Sequence, residues 1–153
     1  MTLQSLTFSE LTTDLLYQIL QLRMEVFVVE QACYYQDADG LDKHPETQHV
    51  ILWDDNQIAA YARVLAPGTS YDNYSSIGRI LNPMAYRGKG LGHKIVAGSI
   101  ALCEKHWPDV DIKISAQAHL QAFYNSHGFV VATEIYLEDG IEHIGMIRGG
   151  NAQ

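Results

Sequence analysis

A glycine-dense turn between a predicted strand and a predicted helix constrains this chain more than any other feature. The turn reads RGKGLG over residues 87–92, after a strand-like run at 77–82 and before an apolar helical run at 91–107. The first turn of a helix has four backbone N–H groups without intrahelical partners, and the helix dipole adds partial positive charge there. Glycine lets the backbone adopt positive φ and approach a ligand closely. With Arg87 and Lys89 beside it, the turn is predicted to bind an anion, most naturally a pyrophosphate.

Two other phosphate-binding motifs fit this turn less well. A Walker A loop ends in Gly-Lys-Ser/Thr, whereas Gly92 is followed by His93 and Lys94. A dinucleotide fingerprint needs G-x-G-x-x-G and an acidic residue about 20 positions later, at the end of a second strand. Here the glycines run G-x-G-x-G, and Asp109 and Asp111 precede the next predicted strand. A flexible turn without a ligand is the remaining alternative, and the flanking strand, helix and basic residues argue against it.

Length and composition are those of an ordinary globular chain. The 153 residues predict a single domain, 1–153 with a core over 3–148, and 47% of them are apolar. No apolar run reaches the roughly 18–20 residues of a membrane span, and residues 1–10 lack the pattern of a signal peptide. Cys33 and Cys103 have no partnered spacing, so a cytoplasmic protein is expected. The net charge of −8 argues against nucleic acid as a partner and favours a cationic small molecule or peptide, although acidity can also serve solubility alone.

The order of predicted elements indicates an α/β chain with a mixed sheet and helices on its faces. The predicted strands are residues 3–8, 49–53, 57–65, 74–82, 111–116, 129–136 and 141–147. Helices are predicted from a cap at Thr12 or Thr13, over 91–107, and over 119–127 with Gly128 as a left-handed cap. Residues 31–48 form a long polar loop, and loops of that length are often functional. Residues 149–153 are predicted to be a frayed tail.

A second motif makes the functional prediction more specific. Residues 116–129 read AQAHLQAFYNSHGF, which places an aromatic-Tyr pair and a Gly-Phe pair after the glycine turn. With the pattern R-x-x-G-x-G after a strand, this resembles the GNAT N-acetyltransferase superfamily, whose members carry an Asn, an aromatic-Tyr pair and then Gly-Phe. Other stretches resemble its ElaA-like branch, namely LR at 22–23, VFVVEQ at 26–31, YQDADG at 35–40 and GIEHIGM at 140–146.

Two positions depart from the family pattern. Gln117 stands where the family often has Asn, so a contact to the pantetheine arm would come from a longer amide. Pro83 lies four residues before Arg87, one more than in many members. The register of the strand end on the coenzyme therefore stays open.

The resemblance implies the GNAT acyl-CoA N-acyltransferase fold, a central and mostly antiparallel sheet of six to seven strands with helices on both faces. It also implies direct transfer of an acetyl group from acetyl-CoA to an amine in a ternary complex, without a covalent enzyme intermediate. The predicted coenzyme-binding residues are Ile80, Leu81, Asn82, Arg87, Gly88, Lys89, Gly90, Leu91, Gly92, Gln117 and Tyr124. Tyr124 is the predicted general acid, because a phenol is protonated at neutral pH and can donate to the leaving thiolate. A tyrosine that only packs in the core is the alternative.

The general base and the acceptor site are less determined by the sequence. Glu30 and His143 are the candidate bases, against a salt bridge of Glu30 with Arg23 and a hydrogen-bonded strand histidine. Glu30, Asp37 and Asp39 are the candidate acceptor-binding residues, because carboxylates attract an ammonium. The expected acceptor is a small-molecule amine or a basic peptide, and the protein is expected to be a monomer or homodimer without membrane partners. A catalytically silent acyl-CoA-binding module is the alternative function.

No metal is expected from the sequence. The run DADGLD at residues 37–42 weakly resembles a calcium loop but lacks its terminal Glu. His44 and His49 do not complete a zinc pattern. The only expected cofactor is therefore acetyl-CoA, as a co-substrate.

Overall fold

Eight strands form one mixed sheet in residues 1–149, the part of the chain that the computed structural model describes. They are β1 (Thr2–Leu6), β2 (Gln48–Asp54), β3 (Gln57–Leu65), β4 (Tyr74–Leu81), β5 (Asp111–Gln117), β6 (Val130–Val131), β7 (Tyr136–Glu138) and β8 (Ile141–Arg148). Their spatial order is β1-β2-β3-β4-β5-β8-β6, and β7 pairs with β8. Every pairing is antiparallel except that of β4 with β5. The mixed, mostly antiparallel sheet is confirmed, with one or two strands more than predicted.

Three α-helices flank the sheet, α1 (Thr13–Arg23), α2 (Leu91–His106) and α3 (Gln121–Asn125). Thr12 caps α1, since its hydroxyl accepts the Leu15 N–H at 3.1 Å. The chain then continues as a π-helix over Met24–Val29, a rare conformation that often marks functional sites. The helix predicted at 119–127 is shorter than expected, because Ala118–Leu120 form a 3₁₀ turn before α3. Gly128 has φ +86°, which confirms the left-handed cap.

The central strands are buried on both faces, and their successive side chains alternate between two cores covered by helices. In β2, Val50 and Leu52 pack in the core that also contains α2, whereas Ile51 packs in a second core with Ile19 of α1. Tyr61 of β3 belongs to the α1 side as well. This period of two is what a sheet covered on both faces requires.

The predicted strand at 129–136 is interrupted. Its first part forms β6 and its last residue begins β7, while the residues between them leave the ladder. The side chain of Thr133 explains the break, because its hydroxyl accepts the Gly145 N–H at 2.8 Å in place of a backbone carbonyl. The predicted tail lies outside the described residues except for Gly149. None of the helices within residues 1–149 is long and apolar enough to cross a membrane.

Candidate active site

The central parallel pair of strands separates to open a cleft. β4 pairs with β5 only at Tyr74 with Asp111 and at Ser75 with Ile112. Beyond Ser75 the edge of β4 has no strand partner on that side, because β5 continues its ladder with β8 alone. A cavity of about 740 Å³ lies along this split and reaches from the glycine turn to the β7–β8 hairpin. Its volume is in the range of ordinary ligand sites.

A bulge in β4 shapes one wall of the cleft. The ladder with β3 pairs Arg63 with Gly78 and then Tyr61 with Leu81, so β4 carries one extra residue. Arg79 lies in this bulge with φ +52°, an uncommon conformation for a residue with a side chain. The predicted coenzyme strand, Ile80 to Asn82, follows immediately and lines the cavity.

Two of the three glycines in the turn have the predicted positive φ, whereas Gly92 lies in the first turn of α2. Gly88 and Gly90 have φ values of +75° and +74°, and Gly90 is the N-cap of α2. No atom would come within 4 Å of a Cβ at either position, so the space above the backbone is open. The turn therefore presents the free N–H groups of a 16-residue helix to the mouth of the cleft.

The predicted coenzyme residues fall into two groups. Those that line the cavity are Ile80, Leu81, Asn82, Arg87, Gly92, Gln117 and Tyr124. The others, Gly88, Lys89, Gly90 and Leu91, do not line it. Lys89 extends over the Tyr86 ring, 5.5 Å from its centroid, and the side chain of Leu91 is in the core. Only backbone contacts from Leu91 are compatible with the predicted role.

Arg87 forms an ion pair with Glu30, one of the two candidate bases. Its Nη1 lies 2.9 Å from Oε2 of Glu30 and its Nη2 donates to Oε1 at 3.0 Å, a two-pronged ion pair. Its Nε donates to the carbonyl of Asn82 at 3.0 Å. The prediction that Glu30 pairs with Arg23 is therefore wrong. The ion pair with Arg87 joins the glycine turn directly to the end of the π-helix.

Tyr124 lies buried against the cleft with no hydrogen bond to its hydroxyl among residues 1–149. Its ring is held edge-on by Phe123 and Phe129, with centroids 5.0 and 6.0 Å away. Burial raises the pKa of Tyr124 to about 12, so the phenol keeps its proton at neutral pH. A protonated hydroxyl without an internal acceptor can donate to a group in the cleft.

The β7–β8 hairpin forms the opposite end of the cavity. His143 of β8 lies beside Gln117 of β5 and Tyr136 of β7 in the sheet. Its Nδ1 is 2.8 Å from the carbonyl of Ile141, and its Nε2 is 3.5 Å from Oε2 of Glu138. His143 is thus a strand histidine with a defined partner, and it also lines the cavity.

A buried charge cluster fixes the long loop against the sheet. Its members are Arg23, Arg63, Arg79, Asp37, Asp39 and Asp42. Arg23 is fully buried and lies 2.7 Å from Asp37 and 2.6 Å from Asp42. Burial alone would raise the pKa of Asp39, but the hydrogen bonds and charge of Arg63 outweigh it and lower the pKa to about 2. The aspartates are matched by an equal number of arginines.

This cluster gives two of the predicted acceptor-binding residues a structural role. Asp37 is buried, does not line the cavity, and lies 2.8 Å from Nε of Arg79. Asp39 lines the cavity, but both of its carboxylate oxygens accept from Arg63, at 2.8 and 2.9 Å. Their binding of an acceptor stays a prediction. The structure shows that their charge is already compensated.

Several residues of the site were not predicted from the sequence. Ser115 and Glu138 line the cavity and are hydrogen bonded at 3.2 Å, and Arg79 occupies the bulge. Ser115 was within reach of prediction, because alternation along β5 places it on the face opposite the apolar Ile114 and Ala116. No local sequence pattern marks Glu138. The described residues contain no group of three or more His, Cys, Asp or Glu side chains placed to hold a metal ion.

A strand pair that separates where a glycine turn enters a long helix is the arrangement of the acyl-CoA N-acyltransferase fold. Residues 13–148 match the family model for the acetyltransferase (GNAT) domain. The chain belongs to the GNAT acetyltransferase family, as its motifs predicted.

Individual relatives show which branch of the family the chain resembles. The chain is 46% identical to the protein ElaA of Escherichia coli over 145 residues, which cover 95% of this chain and 94% of that protein. Its fold matches the crystal structure of E. coli ElaA with a TM-score of 0.89 at 44% identity, and that of an acyl-CoA N-acyltransferase from Pseudomonas aeruginosa with 0.91 at 47%. Both matches cover 96% of this chain and 98% of the other. The resemblance to the ElaA-like branch is confirmed.

Proposed function

We propose that this protein transfers an acetyl group directly from acetyl-CoA to the primary amine of a small cationic molecule or a basic peptide. The observation that carries the proposal is the protonated hydroxyl of Tyr124, which lines the cleft without an internal hydrogen-bond acceptor. Membership of the acetyltransferase family supports acyl transfer in general. The choice of acetyl-CoA and of an amine is the proposal itself.

The cleft fits an acyl-CoA on its own geometry. The edge of β4 beyond Ser75 has backbone groups free to pair with the amides of a pantetheine arm. Gly88 and Gly90 leave open space beside the N-terminus of α2, where a pyrophosphate can approach the backbone. Gln117 lines the same cavity, although its amide already donates weakly to Gln31 at 3.4 Å. Neither wall of the cleft needs an unpaired charge to be buried.

Different residues of this chain carry out separate steps of the proposed reaction. The coenzyme supplies an activated thioester. A basic side chain removes a proton from the acceptor ammonium, and the amine nitrogen then bonds to the thioester carbon as the carbon–sulfur bond breaks. Tyr124 donates its proton to the leaving sulfur. The second proton of the amine restores the phenol, and the base releases the first proton to solvent, so the net products are an amide, a thiol and one proton.

The two candidate bases are not equivalent in the structure. Both oxygens of Glu30 accept from Arg87. A carboxylate held in this way has its charge compensated and both of its oxygens occupied by hydrogen bonds. His143 lines the cavity and makes no ion pair with an arginine in the described part of the chain. We therefore favour His143 over Glu30 as the base.

A thiol-release assay with purified protein, acetyl-CoA and a panel of amines tests this function. The panel contains polyamines, amino sugars, arylamines, lysine peptides and peptides with free N-termini. We expect release above background with at least one cationic amine, and kcat/KM for it should fall as salt rises because part of the attraction is screened. Coenzyme binding without thiol release from any amine would instead favour a catalytically silent acyl-CoA-binding module.

A further inference from the structure

The tautomer of His143 is determined by its surroundings. A backbone carbonyl only accepts hydrogen bonds, so the contact between Nδ1 and the carbonyl of Ile141 at 2.8 Å requires a hydrogen on Nδ1. In the neutral ring, Nε2 then carries a lone pair. The atom that carries it lies 3.5 Å from Oε2 of Glu138. In this neutral form, two hydrogen-bond acceptors lie next to each other without a hydrogen between them.

Neighbouring groups hold Glu138 in this position. Its other oxygen, Oε1, accepts from the hydroxyl of Ser115 at 3.2 Å, and Ser115 also contacts the hydroxyl of Tyr136. The rings of Tyr136 and His143 are stacked with centroids 6.2 Å apart. The turn beyond Glu138 is tied to the long loop, because the thiol of Cys33 donates to the carbonyl of Asp139 at 3.2 Å. The hairpin is thus a preorganised wall of the cavity.

Glu138 differs in charge balance from Glu30 and Asp39, which also line the cavity. Glu30 is paired with Arg87, and Asp39 is paired with Arg63. Among residues 1–149, the only basic side chain in ion-pair contact with Glu138 is His143, whose ring is neutral in the tautomer required of a base. The side chain of Glu138 is half exposed, and the neighbouring Asp139 also lines the cavity. An arriving cation therefore meets uncompensated negative charge at this turn and compensated charge at Glu30 and Asp39.

We propose that Oε2 of Glu138 and Nε2 of His143 together form the binding site for the primary ammonium of the acceptor. This assignment rests on the proposed function and names its specificity-determining residue. An ammonium has three N–H donors, so it can bind both acceptor atoms and direct the third hydrogen to solvent. Nε2 then takes one proton, and the imidazolium that forms lies against the carboxylate of Glu138. The free amine is left in the cleft, ready to bond to the thioester carbon.

Steady-state kinetics with acetyl-CoA and n-butylamine tests the assignment. In Glu138→Gln, KM for the amine should rise at least about tenfold, because a hydrogen bond to a charged group is lost. Coenzyme affinity measured by calorimetry should stay within about twofold. The matched control is Glu142→Gln, which removes the same charge from the same hairpin at an exposed residue that does not line the cavity. An amine KM in Glu138→Gln equal to that of the control would overturn the proposal.

His143→Gln separates the base from the binding role. It should lower kcat by more than it raises the amine KM, whereas Glu138→Gln should act mainly on KM. Equal effects of both variants on coenzyme affinity and none on the amine would mean that the pair only supports the fold. If wild-type protein releases no thiol with any amine, the transfer function itself fails, and this outcome is distinct from a failure of Glu138 alone.

A measurement without turnover makes the proposal independent of activity. In ¹⁵N-labelled protein with coenzyme A bound, the neutral ring of His143 should carry its proton on Nδ1. Adding n-butylammonium should shift the Nε2 resonance, 1-butanol should not, and Glu138→Gln should abolish the shift. A neutral ring protonated on Nε2, or equal shifts with 1-butanol, would overturn the assignment.

Discussion

The two proposed halves of the cleft differ in whether backbone or side chains form them. The proposed coenzyme half consists mainly of backbone, namely the edge of β4 beyond Ser75 and the glycine turn at the N-terminus of α2. The proposed acceptor half consists of side chains, namely those of the β7–β8 hairpin and of the charge cluster that anchors the long loop. A backbone site depends on local conformation, so a short motif specifies it. A side-chain site depends on contacts between distant parts of the chain, which no local motif encodes.

One contact joins the halves. Arg87 belongs to the glycine turn, and Glu30 follows the π-helix on the acceptor side. The N–H of Glu30 bonds to the carbonyl of Glu25 at 3.0 Å, the wide spacing of a π-turn, which sets the direction of the side chain. The acceptor side is therefore positioned partly by the residue that begins the coenzyme turn.

The largest expected effect is the loss of stability when the charge cluster of the proposed acceptor half is broken. Arg23→Met leaves Asp37 and Asp42 buried without one of their cations, which should lower the free energy of unfolding by about 3–5 kcal/mol. Urea unfolding measures the change. The control is Arg148→Met, which breaks an arginine–glutamate pair that is partly exposed and should cost less. Equal losses in the two variants would mean that burial of the cluster has no special weight.

Tyr124→Phe tests the chemistry that both halves share. It keeps the ring packing and removes the hydroxyl, so kcat should fall by roughly 10²–10⁴ with little change in coenzyme affinity. Because burial raises the pKa of Tyr124 to about 12, the wild-type rate should not lose this acid between about pH 8 and pH 10. A decrease in kcat of less than about threefold would identify Tyr124 as a packing residue.

Gly90→Val tests the backbone nature of the coenzyme half. A β-branched side chain disfavours φ +74° and fills the open space where the pyrophosphate is expected, so coenzyme affinity should fall by about 100-fold or more. Gly68→Val is the matched control, because Gly68 has φ +85° and equally open space outside the turn. It should lose comparable stability and keep its coenzyme affinity by calorimetry. Similar affinities for both variants would show that the turn does not bind the coenzyme.

The smallest effect is the pH dependence of stability. Burial lowers the pKa of His49, so the unfolded chain binds this proton more readily, and stability should begin to fall below about pH 6.5. The lowered pKa of Asp39 adds stability above about pH 3.8, which is lost as the pH falls toward 2. Unfolding midpoints measured across this range should show both stages in wild type. His49→Asn should weaken the first stage, part of which His127 should retain because burial lowers its pKa as well. An unchanged first stage in His49→Asn would show that His49 does not contribute to it.

The contrast between the halves also explains how much the sequence could predict. The turn at 87–92, the α2 helix and the strands β2 to β5 follow from local patterns of glycine, alternation and apolar spacing, and the structure confirms them. The buried Arg23 could not be predicted, because a basic residue at the end of an amphipathic helix normally reaches solvent. The same holds for the partner of Glu30, which is 57 residues away. Glu138 could not be predicted either, because its neighbour Ser115 is 23 residues away on another strand.

The charge cluster also has a consequence for how acceptor preference could be altered. It anchors the loop at residues 37–42, and the hydroxyl of Tyr35 donates to Asp37 as part of the same anchor. Gln31, earlier in the loop, is exposed, lines the cavity and is not a member of the cluster. Substitutions at Gln31 should therefore change the lining of the cleft while the cluster holds the loop in place. Laboratory evolution of new acceptors should begin at this position.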